Sequence, residues 1–232
     1  MIRMDDATPP GLRGRKKQRT RKAIADAALA LFLERGFDDV TLAEIADVAE
    51  VSVKTILNHF GSKEEVMLDE ERAVEARLTG ALKAPLVDGR IPLAPLRYLL
   101  AENLVNPHAG GWAGMHDAHR RGILRRFMAT VHGSRALSQR WQAQHFSWSR
   151  AFADVAGARL GRHDDAVRQL GAFLGAVIWD AHRELTTMLL DGDSGAAIEA
   201  RARELAASGL ARVANAFPDL VVAPDGAARP AG

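Results

Sequence analysis

The stretch TLAEIADVAEVSVKTILNHF, residues 41–60, decides how the chain is read. Thr41 is followed three residues later by Glu44, which is the pattern of a reciprocal capping box. Leu42, Ile45, Ala46 and Ala49 then recur at the three-to-four spacing of one helix face. Ser52 is a second N-cap and opens a short helix carrying Ile56, Leu57 and Phe60. Only Ala49, Glu50 and Val51 separate the two helices, so the chain must reverse in a tight turn. Packing Leu42, Ile45, Ala46, Ala49, Val51 and Ile56 inside leaves Ser52, Val53, Lys54, Thr55, Asn58 and His59 facing out. That outward set is small and polar, suited to base edges and phosphates, and the spacing is that of a helix-turn-helix.

Working outward, Ile24, Ala27, Ala28, Leu31 and Phe32 predict a helix from near Thr20 that stops at Gly36, with Phe37 closing the cap. On the other side, Ser62 and Glu65 form a further capping box, starting a helix through Val66, Met67 and onward. Beyond residue 84 the pattern changes to about five longer helices, punctuated by proline and glycine near residues 85–92, 106–114, 157–161 and 192–195. No convincing period-two strand is present, which makes the chain all-α.

Residues 13–22 contain seven basic side chains (Arg13, Arg15, Lys16, Lys17, Arg19, Arg21 and Lys22) and no acid. The pI near 9.2 overstates the overall charge, which is only +2, so the clustering is what favours a polyanion partner through counterion release. The absence of cysteine excludes disulfides, thiolate metal sites and cysteine nucleophiles. No apolar run reaches the ~20 residues of a membrane span, and the first residues lack a signal-peptide core, so a cytoplasmic protein is expected.

Residues 23–67, AIADAALALFLERGFDDVTLAEIADVAEVSVKTILNHFGSKEEVM, resemble the TetR family of bacterial regulators. The resemblance implies an N-terminal three-helix DNA-binding domain with a helix-turn-helix and a larger C-terminal helical ligand-binding and dimerisation domain. The expected limits are a disordered basic arm over 1–17, the DNA-binding domain over 18–65, the helical domain over 66–217 and a disordered tail over 218–232. It further implies that Thr41 and Lys63 meet phosphates, and that Ser52, Lys54, Thr55, Asn58 and His59 lie at the DNA. Arg15, Lys16 and Lys17 of the arm follow the backbone or enter a minor groove. Three positions depart from the family pattern. Glu50 stands where glycine is usual in the turn, Leu57 replaces a tyrosine, and Gly61 stands where proline is common.

The four tryptophans, Trp112, Trp141, Trp148 and Trp179, all fall in the second half. Trp141, His145, Trp148 and Phe152 lie at i, i+4, i+7 and i+11, making one aromatic stripe that is either ordinary core or the wall of a ligand pocket. With Phe127 and Trp179 these are the pocket residues expected for a small, largely apolar effector. His116 and His119 flank Asp117, which reads as surface histidines at a helix start, and no metal or cofactor is expected. Gly171, Ala172, Gly175 and Ala176 permit close helix approach, and Leu170, Phe173, Leu174, Val177, Leu205 and Val213 are the expected contacts of a twofold homodimer.

No catalytic motif is present, and an enzyme is not expected. The function that these features imply is a repressor released from a near-palindromic operator by a small molecule. The alternative is an effector-independent architectural DNA-binding protein.

Overall fold

In the computed structural model, residues 11–69, 71–103 and 115–224 are described, and the chain divides into two units, Met1–Asp69 and Glu70–Gly232. The boundary falls just after the expected 65/66. Residues 1–10 of the arm, Trp112 and residues 225–232 of the tail lie outside the described residues.

In the first unit α1 spans Leu12–Arg35, about two turns longer at its start than the spacing predicts. Arginine, lysine and glutamine are good helix formers, and one glycine, Gly14, does not break the run. Residues 12–17, expected in a disordered arm, are therefore helical. Ile24, Ala28 and Phe32 face inward and are fully buried. The helix ends at Gly36, whose φ of +89° suits glycine, and Phe37 stacks on Phe32 at 5.0 Å between ring centroids.

Helices α2, Leu42–Val48, and α3, Val53–Phe60, start as the capping residues predict. Thr41 and Glu44 make the reciprocal box, while Ser52 Oγ accepts the Thr55 amide at 3.1 Å. In the intervening turn the Val51 amide reaches the Ala46 carbonyl at 2.9 Å. That closure holds Glu50 at φ +53°, a left-handed conformation that costs a non-glycine residue ~1 kcal/mol. Glu50 thus keeps the turn geometry for which glycine is the easier residue. Helix α4, Lys63–Met67, is capped by Ser62, but it ends at Leu68 instead of continuing as predicted.

The second unit holds α5 (Glu71–Ala81), α6 (Ala94–Asn103), α7 (Ala118–Gly133), α8 (Arg135–Leu160), α9 (Asp165–Asp191) and α10 (Gly195–Ala216). Its frame is the α8–α9 pair. A Cβ on Gly171 would lie 2.4 Å from the Ser149 carbonyl oxygen, and one on Gly175 would lie 2.1 Å from Ser149 Oγ. The small residues expected to let two subunits approach therefore bring together two helices of one protomer. Helix α10 closes on α9 in the same way, Gly209 making room for Val177. Leu96, Leu100, Phe152, Leu170, Leu174, Leu210 and Val213 share the resulting core.

The predicted disorder over 218–232 is corrected in its first part. Val221–Val222 (β2) pairs in parallel with Ile91–Pro92 (β1), the Ile91 amide donating to the Leu220 carbonyl at 2.9 Å and the Leu93 amide to the Val222 carbonyl at 3.1 Å. Leu220 and Val221 are buried beneath this clasp. A two-residue strand is too short to show a period of two, which is why patterning missed it. Among the described residues no helix is long and apolar enough to cross a membrane.

Candidate nucleic-acid interface

The outward face of α3 is open. Lys54, Leu57 and Asn58 are exposed, Thr55 is half-buried, and Ile56 and Phe60 anchor the opposite face in the core. Ser52 and Thr55 share a hydroxyl hydrogen bond of 2.8 Å, so one of the two protons is used locally. Leu57 puts an apolar side chain, 43% exposed, between two polar ones.

Two of the residues expected at phosphates are occupied within the protein. The Thr41 amide and hydroxyl both donate to Glu44 Oε2, at 2.8 and 2.7 Å. These bonds, with help from Arg35, hold the Glu44 carboxyl down to about 2, leaving a carboxylate where a phosphate was expected. Lys63 Nζ donates to the carbonyls of Phe37 and Val40, each at 2.9 Å, and sits 4.2 Å from the Phe37 ring centroid. It ties down the α1–α2 connection, and two of its three protons are spent there.

The start of α1 supplies the positive charge instead. Arg13, Gly14, Lys16, Lys17 and Thr20, at helical spacing, line an open depression of about 520 Å³ whose other wall is His59 from α3. No acid lines it. Burial lowers the His59 pKa, and the charges of Arg21 and Lys17 push the same way, so its ring is neutral at physiological pH. Arg15 is exposed but lies outside this depression.

Arg21, counted with the basic cluster, turns inward. Its guanidinium bonds the Asp69 carboxylate and the His59 carbonyl and lies 4.1 Å from the Phe60 ring centroid. It thereby fixes the end of α3 against α1. Thr20 was not expected here, and Arg13, counted in the basic cluster, was not singled out with Arg15, Lys16 and Lys17; both follow from the phase of α1 once its early start is known.

Residues 24–69, which run from the middle of α1 to just past α4, match the model of bacterial regulatory proteins of the tetR family. The helix-turn-helix segment is thus similar to that of the tetR family. A 74-residue stretch is 43% identical to the HTH-type transcriptional regulator TcmR of Streptomyces glaucescens, covering 32% of this chain and 33% of TcmR. A 58-residue stretch is 47% identical to the regulator YdeS of Bacillus subtilis, covering 25% and 29% of the two chains. The likeness to these curated relatives thus spans about a third of their length. Over the whole fold, the chain aligns with NalD of Pseudomonas aeruginosa, the secondary repressor of the MexAB-OprM efflux pump, at TM-score 0.52 and 22% identity. That alignment covers 84% of this chain and 96% of NalD, and it shows a shared fold.

In the second unit, the aromatic stripe on α8 is buried, with Trp141, His145 and Trp148 each at most 5% exposed. Trp179 and His182 of α9 complete a cluster around His145, their ring centroids 4.8 and 5.3 Å from it. His182 was missed because it lies on another helix. Phe152 belongs to the general core and Phe127, half-buried on α7, makes no aromatic contact within the cluster. Asp117 caps α7 by accepting the Arg120 amide at 2.8 Å, and His116 pairs with Glu199 at 2.7 Å. Among the described residues no three histidines or carboxylates gather to hold a metal ion.

Burial pushes His145 down to about 4, against the smaller opposite effect of its bond to the Trp141 carbonyl. A histidine in the unfolded chain takes up its proton near its ordinary 6.5, so the unfolded state binds more protons throughout that interval. Stability is accordingly lost as pH falls from the ordinary value toward the native one. His59 and His132 are lowered too and add in the same sense. In urea unfolding followed by tryptophan fluorescence, the wild type should lose on the order of 2 kcal/mol more than His145→Gln between about pH 7 and about pH 5. Equal losses would contradict this assignment.

The dimer residues divide differently from expectation. Leu170, Leu174 and Val213 are fully buried within the protomer, Leu205 is 8% exposed, and Val177 packs on Gly209. Of the six, Phe173 alone stands substantially exposed, at 50%, edge-on to Phe217 at 5.2 Å. Periodicity marks a helix's apolar face without saying which chain covers it.

Proposed function

We propose that the protein is a homodimeric DNA-binding transcriptional regulator, a repressor that a small-molecule effector releases from a near-palindromic operator. The observation that carries the reading is the open face of α3, where Lys54, Leu57 and Asn58 are exposed on a helix rigidly seated by Ile56, Phe60 and Arg21. Asparagine pairs two-point with adenine, lysine with guanine, and leucine with a thymine methyl. The depression lined by Arg13, Lys16 and Lys17 contributes phosphate neutralisation, which is strong and indifferent to sequence.

Two copies related by a twofold axis would read half-sites one DNA turn apart. Phe173 and the neighbouring exposed Ala172 and Ala176 on α9 are the surface that such a dimer would use. The effector acts by binding one arrangement of the dimer better than another, and so by changing the population competent to span both half-sites. Repression is what the family resemblance implies.

Selection of bound duplexes from a random library tests the reading. A near-palindrome with half-sites about 10 base pairs apart is expected; recovery of duplexes with no shared sequence would favour the architectural alternative. Replacing Arg13, Lys16 and Lys17 together by glutamine should weaken binding to any duplex and flatten the dependence of log affinity on log salt, by about 0.9 for each phosphate that is no longer neutralised. An unchanged slope would remove the depression from the interface.

A further inference from the structure

Within the aromatic cluster of the second unit, two of the buried polar atoms that make no hydrogen bond are of opposite kinds. His145 Nδ1 lies 2.9 Å from the Trp141 carbonyl oxygen. A carbonyl only accepts, so this nitrogen carries the proton and Nε2 is left with a lone pair. Nε2 is buried without a hydrogen bond, and so is the indole Nε1 of Trp148, which can only donate. The residues are 5% and 3% exposed. They stand three positions apart on one face of α8 with ring centroids 4.3 Å apart, beneath the rings of Trp141, Trp179 and His182. One acceptor and one donor, side by side in an apolar surround, are incomplete without a third group.

We infer that His145 and Trp148 form the polar anchor of the effector site and select a neutral, planar apolar molecule bearing a hydroxyl, of the phenol class. The proposal rests on the effector-responsive reading given above. A hydroxyl answers both atoms at once, its proton going to His145 Nε2 and its lone pair accepting from Trp148 Nε1. An ammonium group satisfies the histidine and strands the indole. A carboxylate satisfies the indole and sets an acceptor against the Nε2 lone pair. The aromatic rings of Trp141 and Trp179 around the pair favour a planar aromatic body over a branched aliphatic one. The imidazole contributes as an acceptor only while neutral, and its burial keeps it so.

The test uses the full chain, with phenol and 1-naphthol as probes, each beside its parent hydrocarbon and its carboxylate, benzoate or 1-naphthoate. Binding is read by calorimetry and by quenching of tryptophan fluorescence. At least one hydroxyl compound should bind about tenfold or more tighter than its hydrocarbon and its carboxylate. His145→Phe and Trp148→Phe should each abolish that preference while leaving the hydrocarbon's affinity within about threefold. Circular dichroism melting identifies a variant that fails to fold; should His145→Phe do so, Trp148→Phe carries the test. Equal binding of hydroxyl and hydrocarbon, binding of none of the probes, or a preference that survives in the folded variants would overturn the proposal, leaving an ordered water as the pair's partner. Anisotropy of a bound operator duplex, with and without each probe, separates this from the broader reading. Hydroxyl-selective binding that leaves the duplex bound would uphold the site and remove its regulatory role. Release by probes without hydroxyl selection would do the reverse.

Discussion

Lys54→Ala combined with Asn58→Ala should abolish preferential binding to the operator while leaving the helical content of the protein unchanged. Both side chains are exposed on α3, pointing away from the core that Ile56 and Phe60 fill, so their removal costs the fold little. A good two-point contact to a base is worth about 1–3 kcal/mol. Two such contacts in each subunit of a dimer make the expected loss at least about a hundredfold in affinity. The residual binding should equal that to unrelated duplexes, because the phosphate contacts of α1 remain. Anisotropy titration against the selected operator reads the difference directly. Retention of operator preference in the double variant would mean that α3 is not the reading helix.

The second large effect concerns the frame of the other unit. A Cβ at residue 171 would lie 2.4 Å from the backbone oxygen of Ser149 and 2.7 Å from the backbone nitrogen of Ala153. Neither atom belongs to a flexible side-chain end, so Gly171→Val must push α8 and α9 apart. Overpacking of this kind costs about 1–3 kcal/mol or more, and about 2–4 °C of melting temperature for each kcal/mol in a protein of this size. Gly122, in the second turn of α7, supplies the contrast, because nothing lies within 4 Å of its missing Cβ. Gly122→Ala should stabilise the protein by up to about 1 kcal/mol through helix propensity alone. Thermal melts of the two variants should therefore move in opposite directions. A Gly171→Val melt at the wild-type temperature would contradict the close α8–α9 approach.

What was legible in the sequence was local. Thr41, Ser52, Ser62 and Gly36 mark helix ends through bonds that reach no more than four residues, and the strain at Glu50 follows from a turn only three residues long. The aromatic stripe on α8 was legible for the same reason, as its four members share one helix face. What remained hidden depends on contacts distant in sequence. Arg21 and Lys63 carry charges that read as phosphate ligands until Asp69 and the carbonyls of Phe37, Val40 and His59 are brought beside them. His182 joins the cluster only through the packing of α9 on α8. Leu170, Leu174 and Val213 were correctly apolar, yet the surface that covers them is their own protomer. The β1–β2 clasp joins segments more than a hundred residues apart through two residues each, too few to leave a pattern.

Sequence-specific recognition of DNA is the property on which the rest depends, and fluorescence anisotropy tests it most directly. The wild-type protein is titrated against the intergenic duplex upstream of its own coding region and against a scrambled duplex of equal composition, at two salt concentrations. Tight binding to the native duplex, with weak and steeply salt-dependent binding to the scrambled one, is the predicted result. Equal affinity for both duplexes at both salt concentrations, together with failure of library selection to yield a shared site, would contradict it.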